Sequence, residues 1–253
     1  MRVHLAALLL LLAVLPARAE EVVLGLSQNS VSIDTTFSGS EILLFGAIKR
    51  EIPIPPDELG VVVTIAGPSQ PLDVRRKERR FGIWVNVDAV EVDSAPSFYA
   101  VATSGAWENV LTQVEDLRHK ISIPRAIRSV GAPSTVENAQ DFTDAVIRIR
   151  TRSGAYQMRE NAVELSEQTL FRTSVDLPSN LAEGAYVTRI FLTRNGNVVS
   201  KYDTVIDVRK VGMERWLFEL SRENAMIYGL MSLAIAIAAG WAASMAFQML
   251  RRG

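Results

Sequence analysis

Residues 186–208 read YVTRIFLTRNGNVVSKYDTVIDV, two runs rich in β-branched and aromatic residues on either side of Asn195-Gly196. Val, Ile, Tyr and Phe favour strands because their branched or flat side chains pack well on a pleated surface. Asn-Gly supplies two residues that tolerate a left-handed backbone, which a tight hairpin turn requires. The sequence therefore predicts an antiparallel hairpin with strands over residues 186–193 and 198–208, joined across residues 194–197.

Alternation of apolar side chains, every second residue, predicts strands elsewhere in the chain. Apolar residues alternate with other residues in segments 22–26, 61–65 and 83–87, and clusters of Gly, Pro and Ser separate these segments. Short alternating strands between turn signals are typical of β-sandwiches of immunoglobulin-like character. We expect a mainly β protein with two such modules, residues 20–104 and residues 154–211.

Between these modules the period changes. Trp107, Leu111, Val114 and Leu117 recur at helical spacing, and a second helical pattern covers residues 141–152. Gly154 follows as a plausible helix stop. Residues 105–153 are therefore predicted to form a helical insert.

The first 19 residues have the three parts of a secretory signal peptide. A basic start precedes a short apolar stretch over residues 5–15, and Ala17-Arg18-Ala19 provides the small side chains that signal peptidase needs. The apolar stretch is too short to span a bilayer comfortably, which disfavours an uncleaved anchor. We expect cleavage after Ala19, so that the mature chain begins at Glu20.

A membrane-spanning helix is predicted at the other end. Residues 225–250 contain no charged residue, and a hydrocarbon core of about 30 Å needs about 20 apolar residues. Arg251 and Arg252 follow in a short tail, residues 251–253, whereas the juxtamembrane segment, residues 212–224, is not predominantly basic. The positive-inside rule then predicts a single-pass protein with its body outside the cytoplasm and its C-terminus inside.

Small and polar residues recur every fourth position along this span. They are Ser232, Ala236, Gly240, Ser244 and Gln248. Such a row lets another helix approach closely, so it is a candidate contact face for a membrane-protein partner. The alternative is chance, because the whole segment is rich in alanine.

Composition argues against several functions. The formal net charge is −1, so the chain is not built to bind nucleic acid. There is no cysteine, and His119 is the only histidine expected in the mature protein. We therefore do not predict a catalytic triad or a metal centre held by His or Cys. The sequence also contains no recognisable cofactor motif. We expect a protein that is not an enzyme and holds no cofactor, with His119 solvated at a helix end.

Five cations within six residues form the most unusual feature of the predicted body. They are Arg75, Arg76, Lys77, Arg79 and Arg80, and Trp84 follows closely. Such a run on a strand could bind an anionic ligand, a lipid headgroup or an acidic partner surface. It could equally protect an exposed strand edge from pairing with another strand.

Three segments carry a resemblance to a known family. They are residues 34–47, residues 74–86 with the basic run, and residues 96–101. Together with the terminal helix, they make the chain resemble the alphaproteobacterial family of transmembrane proteins of about this length. The resemblance implies the periplasmic face of a Gram-negative inner membrane, and a transport partner such as a permease resembling sulfite exporters. It brings no activity and no site residues.

These observations predict a membrane-anchored periplasmic protein that acts by binding. The first hypothesis is an accessory subunit of an inner-membrane transporter or envelope complex. The alternative is a periplasmic sensor or carrier that holds a small anion on the basic strand, and an anchored hydrolase is a third and weaker reading. A partner-binding subunit should expose a contiguous surface patch, whereas a carrier should have a pocket on which Arg or Lys side chains converge.

Overall fold

The computed structural model describes residues 20–28, 30–34, 37–50, 53–130, 138–211, 217 and 220–252. The predicted signal peptide lies outside the described residues, as does more than half of the predicted juxtamembrane segment. Within the described residues the chain divides into two compact units. The larger unit, called the body here, contains residues 20–31 and 38–208, and the second contains residues 32–37 and 209–252.

Strands account for most of the body. They are β1 Glu20–Leu26, β2 Ser30–Ile33, β3 Ser40–Arg50, β4 Leu59–Ala66, β5 Ser69–Arg80, β6 Ile83–Pro96, β7 Tyr99–Thr103, β8 Tyr156–Arg159, β9 Glu164–Ser166, β10 Leu170–Leu177, β11 Gly184–Arg194 and β12 Asn197–Lys210. The helices are α1 Trp107–Val110, α2 Gln113–His119, α3 Ile123–Ala126, α4 Ala139–Arg152 and α5 Ala225–Arg252.

The strands form three sheets. A four-stranded sheet has the order β1-β3-β10-β9, and a six-stranded sheet has the order β2-β12-β11-β4-β7-β8. Strands β5 and β6 form the third sheet, a long two-stranded hairpin, and a single antiparallel bridge joins Ser94 of β6 to Arg128. Strand β8 pairs in parallel with β7, because the α1–α4 segment carries the chain back to the same end of the sheet.

The predicted mainly β class, with one long apolar helix at the C-terminus, is confirmed, but the sheets do not follow the predicted division into two modules. Strand β3 pairs with β10, and β4 pairs with β11, so residues 20–104 and 154–211 share both large sheets. Alternation shows which residues form strands, but it does not show which backbone edges meet. The strands of both halves therefore build one body, and its immunoglobulin-like character stays a prediction.

Strand β4 is buried on both faces. Val61, Val63 and Ile65 alternate with Val62 along the strand, and all four are at most 1% exposed. Val62 belongs to a core cluster that includes Val146 of α4, so the helical insert covers that face of the six-stranded sheet. Val61, Val63 and Ile65 on the opposite face are buried as well, so β4 lies in the interior of the body.

The hairpin of β11 and β12 is confirmed. Asn195 and Gly196 form its turn with φ angles of 50° and 75°, the left-handed pair that Asn-Gly was expected to supply. The carbonyl oxygen of Gly196 accepts a hydrogen bond from the backbone N–H of Thr112 at 2.9 Å. The turn is therefore packed against the start of α2.

The helical insert is confirmed in position but not in detail. The helix predicted from Trp107 onwards is broken at Leu111 into α1 and α2, and Thr112 caps α2 by accepting a hydrogen bond from the N–H of Glu115. Val114 and Leu117 are 66% and 57% exposed, so the prediction that they continue one apolar face is wrong. The break changes the rotation of the second helix and turns those residues towards solvent.

Candidate functional site

The β5–β6 hairpin is fixed to the body at its base. Val90 and Val92 of β6 are buried, and Tyr156 of β8 donates a hydrogen bond to the carbonyl oxygen of Pro96 at 2.8 Å. Burial raises the pKa of Tyr156 to about 12, so this hydroxyl stays a donor at neutral pH. Arg150 of α4 adds a hydrogen bond to the carbonyl oxygen of Ser97 at 2.6 Å. The base is therefore held by both packing and hydrogen bonds.

The other end of this hairpin, residues 75–84, is called the hairpin end here, and every residue in it is exposed. Its turn is formed by Phe81 and Gly82, with φ angles of 51° and 88°. Phe81 is completely exposed, and Ile83 and Trp84 are 65% and 68% exposed. Three large apolar side chains are therefore exposed to solvent at the turn of this hairpin.

The five cations of the predicted run lie on β5 and divide into two sets. Arg76 forms an ion pair with Asp88, and Arg80 pairs with Glu78 at 3.4 Å. Arg75, Lys77 and Arg79 lie on the opposite face of β5, because alternate residues of a strand share a face. None of these three forms an ion pair with another described residue. Trp84 stands directly opposite Arg79 in the register.

Sequence reasoning identified the cations and Trp84 but missed Phe81 and Ile83. Ile83 was assigned to the alternating pattern of a half-buried strand, whereas it is exposed in the structure. The available signal was the Phe-Gly pair between a basic run and an alternating run, which marks a turn between two strands. The structure thus joins apolar and cationic side chains into one exposed site.

A second exposed surface covers the outward face of the four-stranded sheet. Val23, Leu43, Phe45 and Leu170 are between 42% and 56% exposed, and we call them the outer patch. The strand register places these residues on one face of β1, β3 and β10. Val23, Phe45 and Leu170 border a depression of about 710 Å³.

Ion pairs surround the outer patch. Arg172 pairs with Glu164 at 2.6 Å, and Lys49 pairs with Glu21 at 3.9 Å. The ring of Phe45 lies against Gly25, where even a methyl group would come within 2.4 Å of it. An apolar centre with a charged rim has the composition of a protein–protein contact surface.

A further cavity of about 330 Å³ lies where β4 begins and β11 ends. Its lining includes Glu58, Asn109 and Asn195, but no Lys or Arg among the described residues. The predicted feature of an anion carrier, a pocket on which cations converge, is therefore not found at this cavity.

His119 is partly buried, which differs from the expectation of a solvated residue. Its side chain is 25% exposed, its ring lies 5.4 Å from that of Phe191, and Nε2 lies 3.3 Å from Oε2 of Glu115. Arg189 donates a hydrogen bond to the carbonyl oxygen of His119 at 2.8 Å. These contacts join α2 to the six-stranded sheet. Among the described residues, no three His, Asp, Glu or Cys side chains form a group that could hold a metal ion.

A buried ion cluster joins β1 to the ends of two other strands. Glu20 accepts hydrogen bonds from Arg50 at 2.7 Å and from Arg194 at 2.5 Å, and the three side chains are between 4% and 9% exposed. Burial on its own raises the pKa of Glu20, but the hydrogen bonds from both arginines outweigh it and hold that pKa below its usual value. Glu20 is therefore a charged residue with a structural role.

Helix α5 is long and apolar enough to cross a membrane. The stretch Ala225–Met245 has a mean hydropathy of 1.8 in its most apolar window, and none of that window is buried. Ser232, Ala236, Gly240 and Ser244 of the predicted contact face are exposed, whereas the side chain of Gln248 lies outside the description.

The family model described as "Putative transmembrane protein (Alph_Pro_TM)" matches residues 21–249. The chain belongs to the Alph_Pro_TM family. The resemblance inferred from the three sequence segments is thereby confirmed. No curated protein matches this Alph_Pro_TM chain.

Among solved structures, the Alph_Pro_TM chain is similar to the crystal structure of BslA, a bacterial hydrophobin. The two are 14% identical over 77% of this chain and 96% of that one. The TM-score is 0.23, which is too low for the likeness to support an argument about fold or function.

The family and the fold agree on how this Alph_Pro_TM protein meets the membrane. The description of the family includes a transmembrane segment, and α5 is the one described helix with the required length and composition. The protein is therefore membrane-associated through a single C-terminal helix.

Proposed function

We propose that this protein is a non-enzymatic, membrane-anchored subunit that binds a second envelope protein through its outer patch. The observation that carries the proposal is the contiguous apolar surface of Val23, Leu43, Phe45 and Leu170 on the outward face of the four-stranded sheet. Large exposed apolar patches with polar rims mark interaction sites in soluble domains.

The sheet geometry favours a protein as the occupant of the outer patch. The patch spans three strands and its side chains are 42–56% exposed, so the depression beside it is open, whereas a small-molecule site encloses most of its ligand. Its charged rim contains both signs, as Arg172–Glu164 and Lys49–Glu21, so it does not select a free anion. A protein surface with its own apolar centre and mixed charges fits these features best.

The proposed setting is the periplasmic side of the inner membrane. The predicted signal peptide, with cleavage expected after Ala19, and the two arginines after the span support this orientation. The family resemblance supports a transporter, such as a permease resembling sulfite exporters, as the class of partner. An anion sensor or carrier has weaker support, because no described cation lines the cavity near Glu58.

Site-specific photo-crosslinking in native membranes tests this proposal. A benzoylphenylalanine in place of Phe45 should give one discrete adduct with another membrane or envelope protein, identified by mass spectrometry. The matched control is the same replacement of Tyr202, an aromatic residue that is 37% exposed on β12 of the other large sheet. The additional change Val23→Asp should abolish the adduct without altering the melting temperature.

Two results would reject the outer patch as a binding site. One is an equal yield of the same adducts from positions 45 and 202. The other is an adduct at position 45 formed only with lipid.

A further inference from the structure

The hairpin end combines three properties that the proposed partner-binding role does not use. It is a run of ten consecutive exposed residues beyond a fixed base, it carries three large apolar side chains at or beside its turn, and it has a row of cations along β5. Exposure of Phe, Ile and Trp side chains to water is unfavourable, and such a cluster marks a surface that contacts a protein or a membrane.

The order of the residues along the hairpin matches the layers of a bilayer surface. Phe81 and Ile83 lie at or beside the turn, and Trp84, an amphipathic ring, stands opposite Arg79. At about 3.4 Å per residue, Lys77 lies about 7 Å and Arg75 about 14 Å behind Arg79. An interfacial segment buries its apolar side chains about 5–10 Å into the headgroup and acyl boundary. The cations would then lie among or just above the headgroups, within a screening length or two of their phosphates.

The charges favour an anionic lipid surface over a neutral one. Arg75, Lys77 and Arg79 share one face of β5 and have no ion-pair partner among the described residues. Protein contact surfaces are commonly broad and place their apolar residues inside a polar rim. Here the three apolar side chains lie at the end of the hairpin, where Arg79 and Arg80 stand directly opposite Trp84 and Ile83, and the other cations lie farther from the turn.

From this arrangement we propose that residues 75–84 form a membrane-docking hairpin. Phe81, Ile83 and Trp84 insert into the surface of an anionic phospholipid bilayer, and Arg75, Lys77 and Arg79 bind its phosphates. This function is independent of the outer patch. The anchor α5 adds to it by keeping the chain at a membrane, which raises the effective lipid concentration around the body.

The chain contains no cysteine, so one introduced cysteine carries a unique fluorophore. Full-length protein with Ile83→Cys is labelled with an environment-sensitive dye, held in phosphatidylcholine nanodiscs and titrated with vesicles. Vesicles containing phosphatidylglycerol should shift the emission to shorter wavelength and protect the dye from iodide, whereas phosphatidylcholine vesicles should not. The same dye at Ser69→Cys, at the exposed base of the hairpin, should not respond.

Two sets of variants separate charge from insertion. Each cation contributes roughly fivefold to binding an anionic surface, so R75Q/K77Q/R79Q should weaken vesicle binding on the order of 100-fold. The matched control, R125Q/R148Q/R152Q, removes three exposed cations elsewhere and should have little effect. The double change Phe81→Ser with Trp84→Ser should leave salt-sensitive adsorption but abolish protection of the dye. All variants should melt at the unaltered temperature, because none of these side chains is buried.

Four results would overturn the proposal. The dye at position 83 could stay exposed on both kinds of vesicle, or the two triple variants could weaken binding equally. Inorganic phosphate alone could reproduce the spectral shift, which would indicate a free-anion site. Burial of the dye that depends on protein concentration without vesicles would indicate that hairpins associate with one another.

Discussion

The buried cluster of Glu20, Arg50 and Arg194 yields a quantitative prediction for Glu20→Gln. Glutamine is nearly the same size, but it removes the negative charge that both guanidinium groups face at 2.5–2.7 Å. Arg50 still donates a hydrogen bond to the carbonyl oxygen of Gln168, and Arg194 still donates one to that of Asp57. Each arginine therefore loses its counter-charge but retains a hydrogen bond. Breaking a buried ion pair typically lowers the free energy of unfolding by about 3–5 kcal/mol. Because the remaining hydrogen bonds partly compensate, we expect a loss at the lower end of this range, about 3 kcal/mol.

This loss is measurable as a change in melting temperature. For a domain of this size, 1 kcal/mol shifts the melting temperature by about 2–4 °C, so the expected fall is about 6–12 °C. The assay is thermal unfolding of the detergent-solubilised chain, followed by near-ultraviolet circular dichroism. Glu21→Gln is the matched control, since Glu21 is 73% exposed and lies 3.9 Å from Lys49. It should change the stability by less than about 1 kcal/mol.

The effect should also depend on pH in a defined direction. The pKa of Glu20 is lowered in the folded protein from a reference of 4.5, so its contribution is fully present above that value. It is lost as pH falls through the folded pKa. The difference between wild type and Glu20→Gln should therefore be constant from pH 6 to 8 and shrink below about pH 4.5. Equal melting of the two variants, or a difference unchanged at acid pH, would refute this account.

Three other predictions concern topology, a turn and the span. A reporter active only in the periplasm should be active after Val211 and silent after Gly253, and activity after Gly253 would reverse the proposed orientation. Gly196→Ala should destabilise the body by about 1–3 kcal/mol in chemical unfolding, because the new methyl group would lie 2.9 Å from Thr112 at a φ of 75°. Gly82→Ala, also at positive φ but with nothing within 4 Å, should cost less, and equal losses would contradict the steric reasoning. Gly240→Ile should reduce association of α5 in a bilayer assay, whereas the same change at Ala238, on the opposite side of the helix, should not; equal effects would remove the contact face.

The sequence by itself determined the local elements. The Asn-Gly turn of β11–β12, the apolar run of α5 and the helical pattern of α4 depend on residues close together in the chain, so each could be predicted without the rest of the protein. The basic run was visible for the same reason. Its division into paired and unpaired cations was not, because Asp88, the partner of Arg76, comes from the register of the opposite strand.

Tertiary structure alone decided how these elements combine. Strand β3 lies between β1 and β10, and β4 lies between β11 and β7, so residues more than 100 positions apart share hydrogen bonds that alternation does not encode. The same pairing exposes Phe45 and Leu170 on one face, and Phe81 and Ile83 at the end of the β5–β6 hairpin are also left exposed. Local pattern records whether a side chain is apolar. Whether that side chain is covered depends on which distant backbone edges meet, and that is a property of the folded chain as a whole.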